Sequence, residues 1–278
     1  MKLSHLISSL VLSLGGLVAA TPAHAIVASL NTNANSLAAA AAAGSTGFTI
    51  NSVTLSGHST STGTFTNASN TYGIGSGIVL STGNVLHYGD GANNSTGNST
   101  NYGVSATAAQ TATLSQIGGA ADYFDVTELT INFTTTTGSV FFNTVFGSEE
   151  FPEYVGKFVD AFGLLIDGQN IAFVGGKPVN IDHPSMAAIA GTELDGVLCP
   201  GAANQCSPVQ TFSLSGLDTS ISHTLKFIIG DRGDSSLDTT VYISALGGTP
   251  PAEIPLPGTL ALFGLGLLGL ARARQQRA

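Results

Sequence analysis

From Phe48 to Leu246 the chain repeats one pattern: short runs of β-branched and aromatic residues separated by clusters of Gly, Ser, Thr and Asn. Such runs, bounded by turn formers, read as strands. They fall at Phe48–Leu55, Gly77–Ser81, Val126–Thr134, Ser139–Gly147, Ala161–Asp167, Asn170–Val174, Val209–Leu214, His223–Gly230 and Thr239–Leu246. Within Glu128–Phe133 the alternation is clean, with Leu129, Ile131 and Phe133 on one face and Glu128, Thr130 and Asn132 on the other. No helical period interrupts the pattern, which excludes a parallel βαβ architecture. The expected fold is all-β: an antiparallel two-sheet β-sandwich, jelly-roll-like, that buries its apolar faces between the sheets. One short helix is expected ahead of it, at Ser36–Ala43, stopped by Gly44. Asp90–Tyr102, in the Asn- and Gly-rich stretch Thr82–Gln110, reads as a long exposed loop, and Asp182–Pro208 as a second irregular stretch.

The two ends have a different character. Met1-Lys2 is followed by the mostly apolar Leu6–Ala20, and Ala23-His24-Ala25 has small residues at the positions of a signal-peptidase site. Residues 1–25 are therefore expected to be a secretory signal peptide, with Ile26 starting the mature chain. At the other end a proline-rich break precedes an apolar run. The 18 residues Ile254–Ala271 carry no charge, and Arg272, Arg274 and Arg277 follow them. That length approaches the roughly 20 residues of a membrane-crossing helix, and the arginines would stay cytoplasmic. Residues 249–278 thus read as a C-terminal hydrophobic helix with a membrane-facing role, leaving 26–248 as one exported domain. The G-x-G-x-x-G spelled by Gly264, Gly266 and Gly269 lacks the strand–turn–helix context of a dinucleotide site.

Charge narrows the function classes. Without the two ends the basic residues are Lys157, Lys177, Lys226 and Arg232, against sixteen acids before Pro251, or about −12. Such a surface repels nucleic acid and anionic lipid and attracts cations. The two cysteines, Cys199 and Cys206, flank Pro-Gly-Ala-Ala-Asn-Gln. In an oxidising envelope a local disulfide clip is expected, two free thiols being the alternative.

Several segments carry a family resemblance. The tail resembles a PEP-CTERM sorting signal, with Pro255-Leu256-Pro257 before Gly258 where Pro-Glu-Pro is usual. That resemblance implies an exosortase as processing partner and a membrane anchor that lasts until cleavage. The alternative is a permanent anchor. In the body, Gly77–Asn84 (G-I-V-L-S-T-G-N), Phe146–Tyr154 (F-G-S-E-E-F-P-E-Y), Val159–Gly163 (V-D-A-F-G) and Ile229–Asp234 with Asp238, Thr239 and Val241 resemble the choice-of-anchor L domain over about Ser36–Gly248. The resemblance implies a surface domain and no defined activity.

Acids concentrate in two short connections. Glu149, Glu150, Glu153 and Asp160 lie within 12 residues, and Asp231, Asp234 and Asp238 within eight. Close carboxylates repel unless they are solvated, protonated or bridged by a cation. Loops of one sandwich end cluster, so Glu149, Glu150, Asp160, Asp231, Asp234 and Asp238 are the candidate ligands of a Ca²⁺ ion, which accepts six to eight oxygens flexibly. Two solvated turns without an ion are the alternative. Glu150 with Asp231 or Asp234 could span a glycosidic bond, but no nucleophile elbow is present, and Asp182-His183 reads as a surface pair.

The expected function is that of a non-enzymatic, exosortase-processed surface or extracellular-matrix protein. It would be exported through the inner membrane of a Gram-negative cell and associated with exopolysaccharide in a biofilm. A Ca²⁺-dependent carbohydrate-binding module is the alternative, with Tyr72, Tyr88, Tyr102 and Tyr154 as sugar platforms in a chain without Trp. A polysaccharide hydrolase stands third.

Overall fold

The computed structural model describes residues 26–88, 97–202 and 205–249. The signal peptide with Ala23 and Ala25, and the tail with Pro255, Leu256, Pro257, Gly258 and its hydrophobic run, lie outside the described residues.

The strands in chain order are β1 (Val27–Leu30), β2 (Phe48–Ser56), β3 (Thr62–Thr66), β4 (Gly77–Ser81), β5 (Tyr123–Thr135), β6 (Ser139–Ser148) and β7 (Ala161–Ile166). Then come β8 (Gln169–Asn170), β9 (Phe173–Val174), β10 (Lys177–Pro178), β11 (Met186–Ala187), β12 (Gly196–Leu198), β13 (Gln210–Ser215), β14 (His223–Arg232) and β15 (Thr239–Gly247). One sheet runs β1-β3-β4-β15-β6-β12-β11, with β13 also on β6; the other runs β2-β5-β14-β7-β8; β9 and β10 form a small hairpin. Every ladder among the described residues is antiparallel. This is the expected two-sheet sandwich.

Period-two alternation places its core. Leu129, Ile131 and Phe133 of β5 are buried, with Leu225, Phe227 and Ile229 of β14 paired beside them. They meet Phe142, Phe146, Val241 and Ile243 of the facing sheet. Phe142 is the joint: it stands edge-on to Phe227 at 5.4 Å and 6.1 Å from Phe212. The large sheet is covered on its outer face as well, where Val79, Val145 and Tyr242 pack under Ile26, Tyr72, Ile74, Tyr88 and Leu194. That double cover explains why β15 reads as a nearly unbroken apolar run rather than an alternation.

The first helix, α1 (Ala34–Ala41), begins two residues earlier than Ser36 because Asn33 caps it, accepting the Ser36 N–H at 2.9 Å. Leu37, Ala38 and Ala41 plug one edge of the core. Gly44, at φ 77°, supplies the left-handed turn that ends the segment.

Four expectations need correction. Helical structure is not confined to the start: α2 (Ala108–Gly118) follows a capping box in which Thr107 accepts the Gln110 N–H. Leu114 and Ile117 of α2 pack on the outer face of the smaller sheet against Val126 and Ile228. With so few large side chains the helix has hardly any apolar periodicity, and Thr107-x-x-Gln110 was its only sequence signal. Second, β1 and the Thr-rich β3 stand where no strand is expected, being short, and their pairing comes from the sheet. Third, Asn170–Val174 splits into β8 and the start of a hairpin. Fourth, the irregular stretch Asp182–Pro208 contributes β11 and β12 to the large sheet.

Cys199 and Cys206 form the expected disulfide. Removing the inter-sheet joint by Phe142→Ala is expected to lower stability by about 3–5 kcal/mol. Phe173→Ala, on the exposed hairpin, should fall within about 0.5 kcal/mol of the parent. Urea unfolding of the two variants checks this.

Candidate functional site

The inner faces of the strands are apolar along most of their length and turn polar at the same level. On β14 the series Leu225, Phe227, Ile229 continues into Asp231. On β7 the series Ile166, Leu164, Phe162 leads back to Asp160, and on β15 Ile243 and Val241 lead back to Thr239. Phe142 and Phe146 of β6 share their face with Ser148. Ladder pairing sets Thr239 beside Ser148 and Gly230 beside Ala161. The ends of β6 and β14 and the starts of β7 and β15 therefore meet at one end of the sandwich. Both acidic connections leave from there.

A β-bulge sharpens the placement. Asp125 and Val126 of β5 together oppose Gly230, and the register resumes with Asp231 opposite Phe124. Asp125 sits at φ 49° and gathers the N–H groups of Tyr102, Gly103 and Val104 on its carboxylate, at 3.0, 3.2 and 2.7 Å. It ties the chain after residue 97 to the sheet.

Glu150, Asp160, Asp231 and Asp238 are completely buried and Glu149 almost so. Asp160 is well held: its oxygens accept the Arg232 N–H at 2.9 Å and the Thr239 hydroxyl at 2.6 Å, and that hydroxyl also reaches Ser148. Asp160 thus bonds the two sheets together. Asp238 accepts the Thr100 N–H at 2.8 Å on one oxygen, and Glu149 accepts the Asn98 N–H at 3.1 Å. The second oxygen of Asp238 and both carboxylate oxygens of Glu150 and of Asp231 accept no well-formed hydrogen bond. Room for Asp238 depends on Gly83, where a Cβ would stand 1.7 Å from a carboxylate oxygen.

Electrostatics follow from this burial. Desolvation pushes Glu150 up to about 9, with the charges of Asp160 and Asp234 adding to it. It pushes Asp238 to about 6 against the opposing Thr100 hydrogen bonds. Asp160 and Asp231, which face each other, both move up mainly through burial; bonds from Thr239, Arg232 and Asp231 restrain the first against the charge of Asp234, while the charge of Asp160 adds to the rise of the second. The one arginine of the described residues points elsewhere, its guanidinium donating to the Lys157 carbonyl at 3.2 Å.

Five of the six expected ligands are thus brought together at one end. Asp234 stays at the rim, half-buried, and accepts the Ser236 N–H at 3.3 Å. Among the described residues no three His, Cys, Asp or Glu side chains already stand at metal-ligand spacing. Of the carboxyls suggested for glycoside cleavage, Glu150 and Asp231 are buried and Asp234 is half-buried at the rim. His183 is not a surface residue: it is buried, its ring bonding the Val174 carbonyl at 2.9 Å and accepting the Ser185 N–H. Tyr72 and Tyr88 are buried, which leaves Tyr102 and Tyr154 as partly exposed rings. Tyr102 stacks on His58 at 3.7 Å. Beside the buried acids opens a cleft of about 390 Å³ lined by Glu149, Phe151, Glu153, Tyr154, Asp195 and Leu237 among others. Asp195 in its wall was not singled out by the sequence, because Glu193-Leu194-Asp195 matches no ligand or catalytic pattern.

The Choice-of-anchor L domain family matches residues 26–206, and the chain belongs to it. The PEP-CTERM protein-sorting motif matches residues 253–275. That motif marks an exported surface protein, targeted to an exosortase and held in the membrane by its tail before cleavage. The family match starts at Ile26, ten residues before the resemblance in the sequence, and stops short of β13–β15. No curated protein and no solved structure matches the chain.

In chelator, the buried carboxyls give a defined pH dependence. A group held above its unfolded pKa contributes stability that is complete below that unfolded value and is lost as pH rises through the folded one. Melting temperature should therefore fall between about pH 4 and pH 9, the window bounded above by Glu150 at about 9. Glu150→Gln with Asp231→Asn should flatten the fall. Thermal melts in EDTA across that range check both.

Proposed function

We propose that the chain is a non-enzymatic component of the outer surface or extracellular matrix of a Gram-negative cell. It would act there in association with exopolysaccharide once its tail has been cut. The observation that carries this reading is the sorting motif behind a sandwich of a surface-domain family. Support comes also from the burial of Glu150 and Asp231 among the described residues. The charge of about −12 on the exported domain favours cation-bridged contact with polysaccharide over contact with nucleic acid.

Intact-mass measurement of envelope-derived protein tests the processing: the chain should start at Ile26 and end near Pro255–Gly258. Recovery with Arg272–Ala278 attached from cells that hold an exosortase would instead mean a permanent anchor. Matrix fractions should contain the protein and release it when the polysaccharide is digested. Purified protein should liberate no reducing sugar from that polysaccharide.

A Ca²⁺-dependent carbohydrate-binding module is a second reading, favoured by the cleft that sets Tyr154 and Phe151 next to Glu149, Glu153 and Asp195. A glycan array with and without EDTA separates it from the first: sugar binding lost in EDTA supports the module.

A further inference from the structure

We propose that the carboxylate layer at the end of the sandwich is a divalent-cation site, most suited to Ca²⁺, in which Glu150 and Asp231 supply the principal oxygens and Asp160 and Asp238 complete the set. The inference goes beyond the reading above and does not rest on it.

Two independent observations point to a ligand. First, the acids come from separate connections, Glu150 and Asp160 from the β6–β7 segment and Asp231 and Asp238 from β14 and the β14–β15 segment, yet the ladders bring them to one place. Second, Glu150 is buried with neither carboxylate oxygen partnered, and neither Asp231, which has only loose contacts with Thr82 and Asp160, nor the second oxygen of Asp238 accepts a well-formed hydrogen bond. A buried ionised carboxylate without a partner is costly, and side chains with nothing to hold are normally selected toward apolar ones. The charges that bear most on Glu150, Asp160 and Asp231 are those of other carboxylates. Among the described residues no ammonium or guanidinium neutralises them, so the missing partner is a cation or protons.

The chemistry selects the ion. All the donors are oxygens, which suits Ca²⁺ or Mg²⁺ over zinc. The carboxylates do not yet surround one point, so the ion must be one that tolerates irregular geometry and accepts side chains turning inward. Ca²⁺ does so, whereas Mg²⁺ requires a near-ideal octahedron and parts reluctantly with water. Neighbouring hydroxyls of Ser148 and Thr239 add further oxygens at the same level. Glu149 and Asp234 lie outside this set, one bonded to the Asn98 N–H and the other at the rim.

Binding in the range of an extracellular module, about 10⁻⁴ to 10⁻³ M, is expected. The exported protein, stripped with EDTA and exchanged into metal-free buffer at pH 7.5, is melted in CaCl₂, in MgCl₂, in EDTA and in NaCl of matched ionic strength. At ten times the dissociation constant Ca²⁺ should raise the melting temperature by about 3–5 °C over the NaCl control, and Mg²⁺ by less. Glu150→Gln with Asp231→Asn should melt in EDTA at or above the parent and lose the Ca²⁺ increment. Glu153→Gln, in the exposed cleft, should keep it. Should the double variant not fold, Asp231→Asn alone and a calorimetric stoichiometry near one on the parent carry the test. Coincident parent melts in Ca²⁺ and EDTA would overturn the proposal and leave protons as the partner. An increment that survives the double variant would overturn it too, placing any ion on surface acids. None of these readouts depends on export, tail cleavage or polysaccharide.

Discussion

The structure turns on how the space between the two sheets is closed at one end. Apolar side chains fill it as far as Phe146, Phe162, Ile229 and Val241, and the next inward positions are Ser148, Asp160, Asp231 and Thr239. A sandwich end must stop burying apolar surface somewhere, and most stop in solvent. Here the end is covered by the connections themselves and by residues 97–104, so the closing layer is both polar and dry. Asp160 is the one carboxylate of that layer satisfied on both oxygens, and its bonds to Thr239 and Arg232 join the sheets. Loss of that residue would free a backbone N–H and a threonine hydroxyl in a buried place, at a cost of about 1–3 kcal/mol each.

Much of this was legible in the sequence. Eight of the nine expected strands correspond to single observed strands with ends shifted by at most three residues, and the clean alternation in β5 is the burial pattern seen. The gathering of the two acidic connections was also foreseeable, because antiparallel strands that hairpin through neighbouring loops return to the same end. Hidden from the sequence was the depth of the acids. A run such as Ser148-Glu149-Glu150 reads as a solvated turn, since only tertiary cover can make it dry. Carrying the inward period one step past Ile229 would have put Asp231 inside. Pattern reading stops instead where the apolar residues stop.

The misses share a cause. β1 is only four residues long, and α2 and β3 are dominated by small residues with few large apolar ones, so their local pattern is weak and the sandwich decides their state. In α2 the decision shows in detail, because Leu114 and Ile117 alone dock it while Thr107 and Gln110 satisfy its first turn. Such segments leave the larger strands to carry stability, which is consistent with the concentration of aromatic contacts around Phe142, Phe146 and Phe162.

The orientation of β15 relates the layer to the tail. The strand starts at Thr239, inside the polar layer, and ends at Gly247, paired across from Phe141 near the start of β6. Beyond it Thr249 bonds Thr46 at 2.7 Å, next to the segment that leads from α1 into β2. At about 3.3 Å per residue the two ends of β15 stand roughly 26 Å apart. The chain therefore leaves the described fold at the end away from the carboxylates, and the last strand before the sorting motif is central to the large sheet, not a loose edge. The described core and the carboxylate layer are both built from residues that precede the sorting motif at 253–275, so neither loses a residue of its own when the tail is cut.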